Sequence, residues 1–565
     1  MNPSPFHSPA VRHAAWAVWA NPIFRRYCQS RLRLRGMGIA LLITLLMAGF
    51  IVAMAGSIGV RSHANPADAA RTGIIPLLVL QSIILFILGT AQVAGGMTAE
   101  RDEGVIDYQR LIPMSPLSKV LGYLFGLPVR EYAMFLTTMP FTAWSLWRGQ
   151  VACDVWLPLY LIVFTSTLLY HFTGLLAGTV ARNRRWAFLA SIGLVFCLYT
   201  VIPQMAKFGL VFFKYLTITP VFEESLPGIL PRSAGALVKA GQQLVPTVRF
   251  FNLDFSEAVF TAFSQGGLIL TFVVMLCRKW RRSEAHLLGK PWATGFFVWI
   301  QILLLGNALP LIEPGNLFPS RAFSHLVRIM PDWAPKPEEA VLMSGMYGLV
   351  TLVLVFILAG IITPSADHQL RGWRRARKQG QTALPHLADA TTAFWFVLVM
   401  ALAGGAGWFV FTRALVESRW FPGHQVPLSV LGYFCAVMFA GGIGFQSLLE
   451  TRGGRVVGLT AIFVGVVPLM VGAVFSAIDR LGPAASWLAG ISPLSMPFYA
   501  SSTLLSIAEL PLQASRAVPR AFYFWLLVSL VTTIWLIVNL HMTRKAMATR
   551  VLANPTAQSP PMPAP

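Results

Sequence analysis

The sequence predicts an all-α polytopic membrane protein with about twelve transmembrane helices in two six-helix repeats. Three observations support this fold class: 56% of the 565 residues are hydrophobic, only 12% are charged, and the mean hydropathy is +0.64. A soluble domain has about 25% charged residues, so a soluble chain of this composition could not cover its own surface. The five cysteines form neither a CxxC pair nor a disulfide framework.

Twelve stretches with almost no charged residues are the predicted membrane spans. About 20 apolar residues in a helix cross the hydrocarbon, and none of the stretches alternates with the period of two expected for a strand. The third is short but continues backwards through Arg130 and Glu131 into another apolar run. In chain order the stretches are 36–60, 74–99, 132–147, 155–181, 186–206, 258–277, 291–312, 340–366, 390–412, 420–449, 456–478 and 521–543.

The distribution of Lys and Arg predicts that both termini are cytoplasmic. In this orientation the cytoplasmic segments carry 27 Lys and Arg residues and the outer segments 15. Cytoplasmic loops of membrane proteins are enriched in these residues, so the net charge of +22 indicates topology rather than nucleic-acid binding. The uncharged stretch 481–508 contains three prolines and is interpreted as an outer re-entrant or interfacial segment, because a thirteenth span would place the basic C-terminal tail outside.

The order of spans and loops indicates an internal duplication. Spans 4 and 5 with their basic loop (171–203) correspond to spans 10 and 11 (441–468), and each pair precedes a long outer loop that begins near a hydroxyl–proline pair. Repeats of six spans are common among transporters. The predicted segments are a first half, a second half and a disordered Pro-rich tail, at 1–285, 286–545 and 546–565.

Two cytoplasmic segments of the first half combine charged and apolar residues. In segment 21–36 arginines alternate with apolar residues, which predicts a helix lying in the inner interface; a positive-inside anchor is the simpler explanation of its charges. The loop 98–120 begins with the acidic run E-R-D-E-G and continues with an amphipathic piece. Because the positive-inside rule does not explain acids in a cytoplasmic loop, we interpret it as a docking element for another protein, with a solvated turn as the alternative.

Together these two segments resemble the ABC-2 family of ABC transporter permeases. NPIFRRYCQSRLR (21–33) is similar to the family's interfacial helix, and ERDEGVIDYQRLIPMSPLSKVLG (100–122) to its first cytoplasmic loop. The resemblance implies an ABC-2, type V exporter-like transmembrane domain in a bacterial inner membrane, with two halves acting as a fused pseudo-dimer and with outer re-entrant helices between spans 5 and 6 of each half. It assigns coupling to a separate ATPase to the start and end of one helix: Glu100, Arg101, Asp102, Glu103, Gly104, Pro113 and Ser115.

The second half departs from this pattern. Its corresponding loop, 362–390, has Asp367 and a basic cluster but no E-R-x-x-G, so an ATPase would dock there differently. The chain has no Walker A loop either, because the Gly289-Lys290 pair has Glu284 in place of the first glycine. We therefore predict that the chain is not an enzyme and holds no cofactor, and that ATP and Mg²⁺ are bound by a partner subunit.

Arg130 and Glu131 form a candidate intramembrane polar site. Ionisable residues at depth are costly and usually face a cavity or the interior of a bundle. Because neighbours on a helix point about 100° apart, the two are expected to pair only weakly. The alternative is an interfacial segment at 117–128, with the true span starting at Glu131.

Three other features are expected to serve packing. His171 is a lone histidine in an apolar span, and a satisfied packing or helix-pairing role is favoured over a proton relay. The glycine-rich runs 404–407 and 441–444 are expected to allow close helix packing rather than to bind a ligand.

The sequence thus predicts the permease subunit of an ABC transporter, an exporter driven by a separate ATPase. A twelve-span secondary carrier is an alternative, since 448–458 faintly resembles that superfamily's loop pattern, although it lies after span 10 instead of span 2 or 8. A membrane-embedded transferase is the third class, with Glu223 and Glu224 as its only acidic pair in an outer loop.

Overall fold

The computed structural model describes residues 14–62, 65–180, 184–232, 234–236, 248–323, 333–478, 481–505 and 512–553. The helices up to residue 284 are α1 (Pro22–Arg31), α2 (Leu34–Ser62), α3 (Pro66–Arg71), α4 (Ile74–Ser82), α5 (Thr90–Asp102), α6 (Val105–Leu111), α7 (Pro116–Gly126), α8 (Val129–Arg148), α9 (Cys153–Val180), α10 (Arg184–Phe196), α11 (Ile202–Gln204), α12 (Thr219–Ile229) and α13 (Glu257–Arg281). The later helices are α14 (Lys290–Ile312), α15 (Pro319–Phe323), α16 (Pro337–Ile362), α17 (Ala366–Lys378), α18 (Phe394–Val416), α19 (Ser429–Thr460), α20 (Val467–Ser476), α21 (Gly482–Ala489), α22 (Met496–Leu505) and α23 (Leu512–Ala553).

Short segments of other geometry complete the described chain. Strands β1 (Val248–Phe250) and β2 (Leu253–Phe255) form a two-stranded sheet. Three π-helical segments connect α4 to α5, α10 to α11 and α19 to α20, at Ile83–Gly89, Cys197–Val201 and Ala461–Val466. The 3₁₀ helices are Val18–Ala20, Met205–Phe208 and Val211–Leu216.

Within the described ranges, nine helical stretches are long and apolar enough to cross a membrane, which confirms an all-α polytopic membrane protein. They are Gly36–Gly59, Pro66–Asp102, Cys153–Val180, Glu257–Arg281, Lys290–Ile312, Pro337–Ile362, Phe394–Val416, Ser429–Ser476 and Arg516–Val551. Twelve spans stay a prediction. The stretch Ser429–Ser476 contains two of the predicted spans, whereas 132–147 and 186–206 lie in helices outside these nine.

The stretch Ser429–Ser476 is broken at Gly453. This glycine has φ +78° and ψ 172°, which is not helical and lies where side chains are disfavoured. The break falls within the predicted cytoplasmic loop 450–455, so the two predicted spans lie on either side of it.

Side-chain caps followed by proline begin several helices. The Asn21 side chain accepts a hydrogen bond from the Ile23 amide at 3.0 Å, and Pro22 occupies the first position of α1. Ser115 and Pro116 begin α7 in the same way. Such caps satisfy amides that have no partner within the helix, and proline there loses no hydrogen bond.

Two predicted boundaries are wrong. The interfacial helix predicted at 21–36 ends at Arg31, and α2 begins at Leu34, so the first membrane helix starts earlier than its apolar stretch. The disordered tail does not begin at residue 546, because α23 continues to Ala553 through a segment without Gly or Pro. Residues 554–565 of that predicted tail lie outside the described residues.

The uncharged stretch 481–508 folds, over its described part, as two short helices. These are α21 and α22, of 8 and 10 residues, joined by a turn. At about 1.5 Å of rise per residue neither crosses a 30 Å hydrocarbon layer.

By its packing the chain divides into two compact units, and each is described by itself. The first unit comprises Met1–Gln204, Phe213–Val248 and Asp254–Glu284. The second unit comprises Met205–Phe212, Arg249–Leu253 and Ala285–Pro565.

Glycines bring helices of the second unit into close contact, as predicted for the two glycine-rich runs. A Cβ added at Gly405 on α18 would lie 2.9 Å from the Cα of Cys435 on α19. A Cβ at Gly444 on α19 would lie 2.8 Å from Oγ1 of Thr533 on α23. These positions therefore set the spacing between helices, where small residues let backbones approach.

We expect Gly405→Ala to lower the free energy of unfolding of the purified protein by about 1–3 kcal/mol, because the Cys435 backbone must move. Gly432→Ala on α19 is the matched control, since nothing lies within 4 Å of its added Cβ. The control should be neutral or stabilising by up to about 1 kcal/mol. The measurement is the thermal unfolding midpoint in mild detergent, and equal midpoints for the two variants would contradict the packing assignment.

Candidate functional site

Glu100 lies in the last turn of α5 and is held by side chains from two other helices. Arg26 of α1 forms an ion pair with its Oε1, and the Tyr27 hydroxyl donates to the same oxygen at 2.7 Å. The Tyr123 hydroxyl of α7 lies 3.2 Å from Oε2 and donates to Gln109 Oε1 of α6 at 2.8 Å. We call these five residues the Glu100 cluster.

Aromatic stacking and burial stabilise the Glu100 cluster. The rings of Tyr27 and Tyr123 have centroids 5.9 Å apart, and Tyr123 stacks on Trp280 of α13 at 5.5 Å. The Arg26 guanidinium lies 4.9 Å from the centre of the Tyr27 ring. Burial, reinforced by the hydrogen bond to Glu100 and its charge, raises the pKa of the Tyr27 phenol. The phenol therefore keeps its proton at physiological pH and acts as a donor.

Two glycines of α7 allow α1 to approach closely enough to reach Glu100. A Cβ at Gly122 would lie 2.8 Å from Oδ1 of Asn21, and one at Gly126 would lie 2.8 Å from the Tyr27 ring. The Asn21 side-chain amide also donates to the Ser118 carbonyl at 2.6 Å. The sequence analysis did not identify this contact, which the spacing of four residues between the two glycines could have indicated.

The predicted start of the coupling helix needs correction. Glu100, Arg101 and Asp102 belong to the end of α5, and the short helix α6 begins only at Val105, after Gly104 turns the chain with φ +72°. Arg101 connects the end of α5 to the end of α9, since its Nη1 donates to the carbonyls of residues 178 and 179. It also pairs with the neighbouring Asp102 at 2.9 Å.

The predicted end of the coupling helix lies beyond α6. This helix ends at Leu111, and Pro113 lies in the bend that follows. Ser115 caps α7 by accepting a hydrogen bond from the Ser118 amide at 3.1 Å. The seven predicted coupling residues therefore frame α6 on both sides instead of forming it.

The helix α6 has a buried face and an exposed face. Ile106 is buried in a core cluster that also contains Tyr27, Tyr123 and Trp280, and Gln109 is buried beside it. On the other face the side chains of Asp107, Tyr108 and Leu111 are 79%, 70% and 81% exposed. Glu103 is exposed immediately before the helix. We call these four exposed residues (Glu103, Asp107, Tyr108 and Leu111) the α6 surface.

A cleft of about 360 Å³ adjoins α6 within the first unit. Its walls are formed by α5, α6, the end of α9 and the C-terminal part of α13. Trp280 and Ile106 are among its apolar wall residues. The charged residues that line it are Arg101, Asp107, Arg110 and Lys279. The α6 surface and this cleft together present acidic, apolar and basic groups.

Arg130 and Glu131 lie in the first turn of α8, after a helix break at residues 127–128. The two side chains are in contact although they are neighbours on the helix, with Arg130 Nη2 2.8 Å from Glu131 Oε1. Glu131 is buried while Arg130 is partly exposed. Among the described residues the two pair only with each other, so the structure does not join them to the Glu100 cluster.

His171 of α9 has partners at both ring nitrogens. Its Nδ1 lies 2.8 Å from the Tyr132 hydroxyl, and its Nε2 lies 3.0 Å from the Leu85 carbonyl in the first π-helical segment. A histidine satisfied on both sides connects three helices and fits the packing role expected from the sequence.

The fold and these sites define a helical, polytopic membrane protein with an anchored, partly exposed short helix at the end of a membrane-crossing helix. Comparison with protein-family models, with curated proteins and with solved structures finds no match to this chain. The functional assignment therefore depends on the site itself.

Tyr27→Phe should lower the free energy of unfolding by about 1–2 kcal/mol, because the buried hydroxyl that donates to the Glu100 carboxylate is lost. Limited proteolysis should also release the α1 segment faster. Tyr108→Phe is the matched control, since its exposed hydroxyl has no hydrogen bond among the described residues, and it should change stability by less than about 0.5 kcal/mol. Equal thermal midpoints for both variants would contradict the anchoring role of Tyr27.

Proposed function

We propose that this chain is the membrane-spanning permease subunit of an ABC transporter, an exporter driven by a separate ATPase subunit that docks on the α6 surface. ATP and Mg²⁺ are then bound by the partner. In this proposal the chain lies in a bacterial inner membrane with both termini in the cytoplasm. The observation that carries the proposal is the exposure of Tyr108 and Leu111 beside Asp107 on a helix whose other face is anchored.

The composition of the α6 surface favours a protein partner over lipid or water. Large apolar side chains that are mostly exposed are unfavourable in water, whereas Glu103 and Asp107 are unfavourable in hydrocarbon. A protein interface accommodates both, with a tyrosine as an anchor and a charged rim around it.

The anchoring of α6 allows a force on it to reach the membrane helices. Ile106 and Gln109 fix its buried face to the core and to Tyr123, so α6 cannot move independently of α7. Glu100 connects the same cluster to α5, which belongs to a membrane-crossing stretch. Closure of ATPase subunits against α6 would therefore displace α1, α5 and α7 together.

Affinity purification of the tagged full-length chain from its native membrane in mild detergent tests the proposal. We expect a stoichiometric subunit that contains a Walker A loop, identified by mass spectrometry. Purified chain without an ATPase that moves solute down an ion gradient would contradict the proposal and support a secondary carrier.

The double variant Tyr108→Ala, Leu111→Ala should reduce the amount of co-purified ATPase by about tenfold or more, since truncating interface anchors costs about 2 kcal/mol or more. The double variant Trp147→Ala, Leu428→Ala removes two similarly exposed apolar side chains towards the outer ends of the predicted spans 132–147 and 420–449, and is the matched control. Both variants should be present in the membrane at the level of the unaltered chain. An undiminished yield of ATPase with the first variant would contradict docking on α6.

A further inference from the structure

The second unit contains a buried glutamate in a setting like that of Glu100. Glu450 lies on α19 three residues before the break at Gly453, and its side chain is fully buried. Nε of Arg544 lies 2.7 Å from Oε1, and Gln369 Nε2 donates to the same oxygen at 2.8 Å. Oε2 accepts from Thr392 Oγ1 at 3.1 Å and from the Gln446 amide.

The two glutamates lie in similar settings. Each is followed, after three or four residues, by a glycine with positive φ, which is Gly104 at +72° and Gly453 at +78°. Each is paired with one arginine and hydrogen-bonded by neutral side chains. The arginines come from opposite ends of the chain, Arg26 from α1 and Arg544 from α23.

The sequence before each glutamate is also related. An Ala-Gly-Gly run precedes both, ending at Gly96 and Gly442, so Glu100 follows after four residues and Glu450 after eight. The difference of four residues is close to one helical turn, which places both carboxylates on a similar face relative to the glycines. The likeness is one of setting and not of position in the predicted repeat, where 441–468 corresponds to 171–203 and 362–390 is the counterpart of the first coupling loop.

The loop 362–390 has another role in the second unit. Its helix α17 supplies Gln369 to Glu450, and Arg377 Nη1 donates to the Val551 carbonyl of α23 at 3.0 Å. Asp367, the acid singled out in the sequence, is exposed in the first turn of α17. The loop therefore holds Glu450 through a hydrogen bond from Gln369, as α6 helps to hold Glu100 through Gln109 and Tyr123.

We propose that residues 451–455, at the Gly453 break, form a second docking element, which binds an acidic surface of an ATPase subunit. This inference rests on the proposed permease function. Arg452 and Arg455 are both exposed, and among the described residues neither has an ion pair or a side-chain hydrogen bond. Their charge is opposite to that of Glu103 and Asp107 on the α6 surface, so the ATPase surfaces bound by the two units differ in charge.

Photocrosslinking in native membranes tests the second docking element. A photocrosslinking amino acid is placed, one position at a time, at Glu103, Arg455 and Arg374 of the tagged full-length chain, the last being an exposed position on α17. We expect adducts with a Walker A-containing ATPase from Glu103 and Arg455, and none from Arg374. An ATPase adduct from Glu103 but not from Arg455, or lipid adducts alone at Arg455, would overturn the second docking element and leave the permease proposal intact.

Failure of the proposed function gives a different result. No ATPase adduct from any of the three positions, together with no co-purified ATPase, would overturn both proposals. A separate measurement uses charge reversal: Arg452→Glu with Arg455→Glu should reduce co-purified ATPase by about tenfold, whereas Arg374→Glu with Arg375→Glu should not. Equal yields from these two matched pairs would also contradict docking at Gly453.

Discussion

A carboxylate at the end of a membrane helix is the constraint on which the architecture of each unit depends. Burying an ionised carboxylate costs several kcal/mol unless a cation and hydrogen-bond donors compensate it. Glu450, which is fully buried, therefore needs Arg544 and its amide and hydroxyl donors, and Glu100 needs Arg26 and Tyr27. Since the arginines lie on α1 and α23, this need fixes the first and the last of the described α-helices, each within its own unit.

In both units a glycine with positive φ follows the glutamate after three or four residues. A positive φ is not helical, so regular helix geometry is interrupted at this glycine. In the first unit the chain then forms α6, with Ile106 inside and Leu111 outside. The proposed coupling needs this combination of a fixed inner face and an accessible outer face, because a loosely held helix would absorb a push without moving its neighbours.

The sequence predicted the membrane-protein class and drew attention to the segment around Glu100, but it did not identify the side chains that bind this glutamate. Low charge and long apolar runs are properties of single segments, so the spans and the acidic run at Glu100 could be recognised directly. Tyr123 and Gln109 could not, because they join Glu100 only through tertiary packing. The end of α5 was placed too early because a run of charged residues such as Arg101 and Asp102 is typical of a loop. The contact between Arg101 and α9 cannot be seen in the sequence. Glu450 was missed because its stabilising residues, Gln369, Thr392 and Arg544, are distant in sequence.

A cryo-electron microscopy structure of the full-length chain with the subunits that co-purify with it tests the central claim most directly. We expect ATPase density in contact with Tyr108 and Leu111 of α6, with Glu100 still bound by Arg26 and Tyr27 behind them. ATPase density on other parts of the chain, with Tyr108 and Leu111 left uncovered, would contradict it.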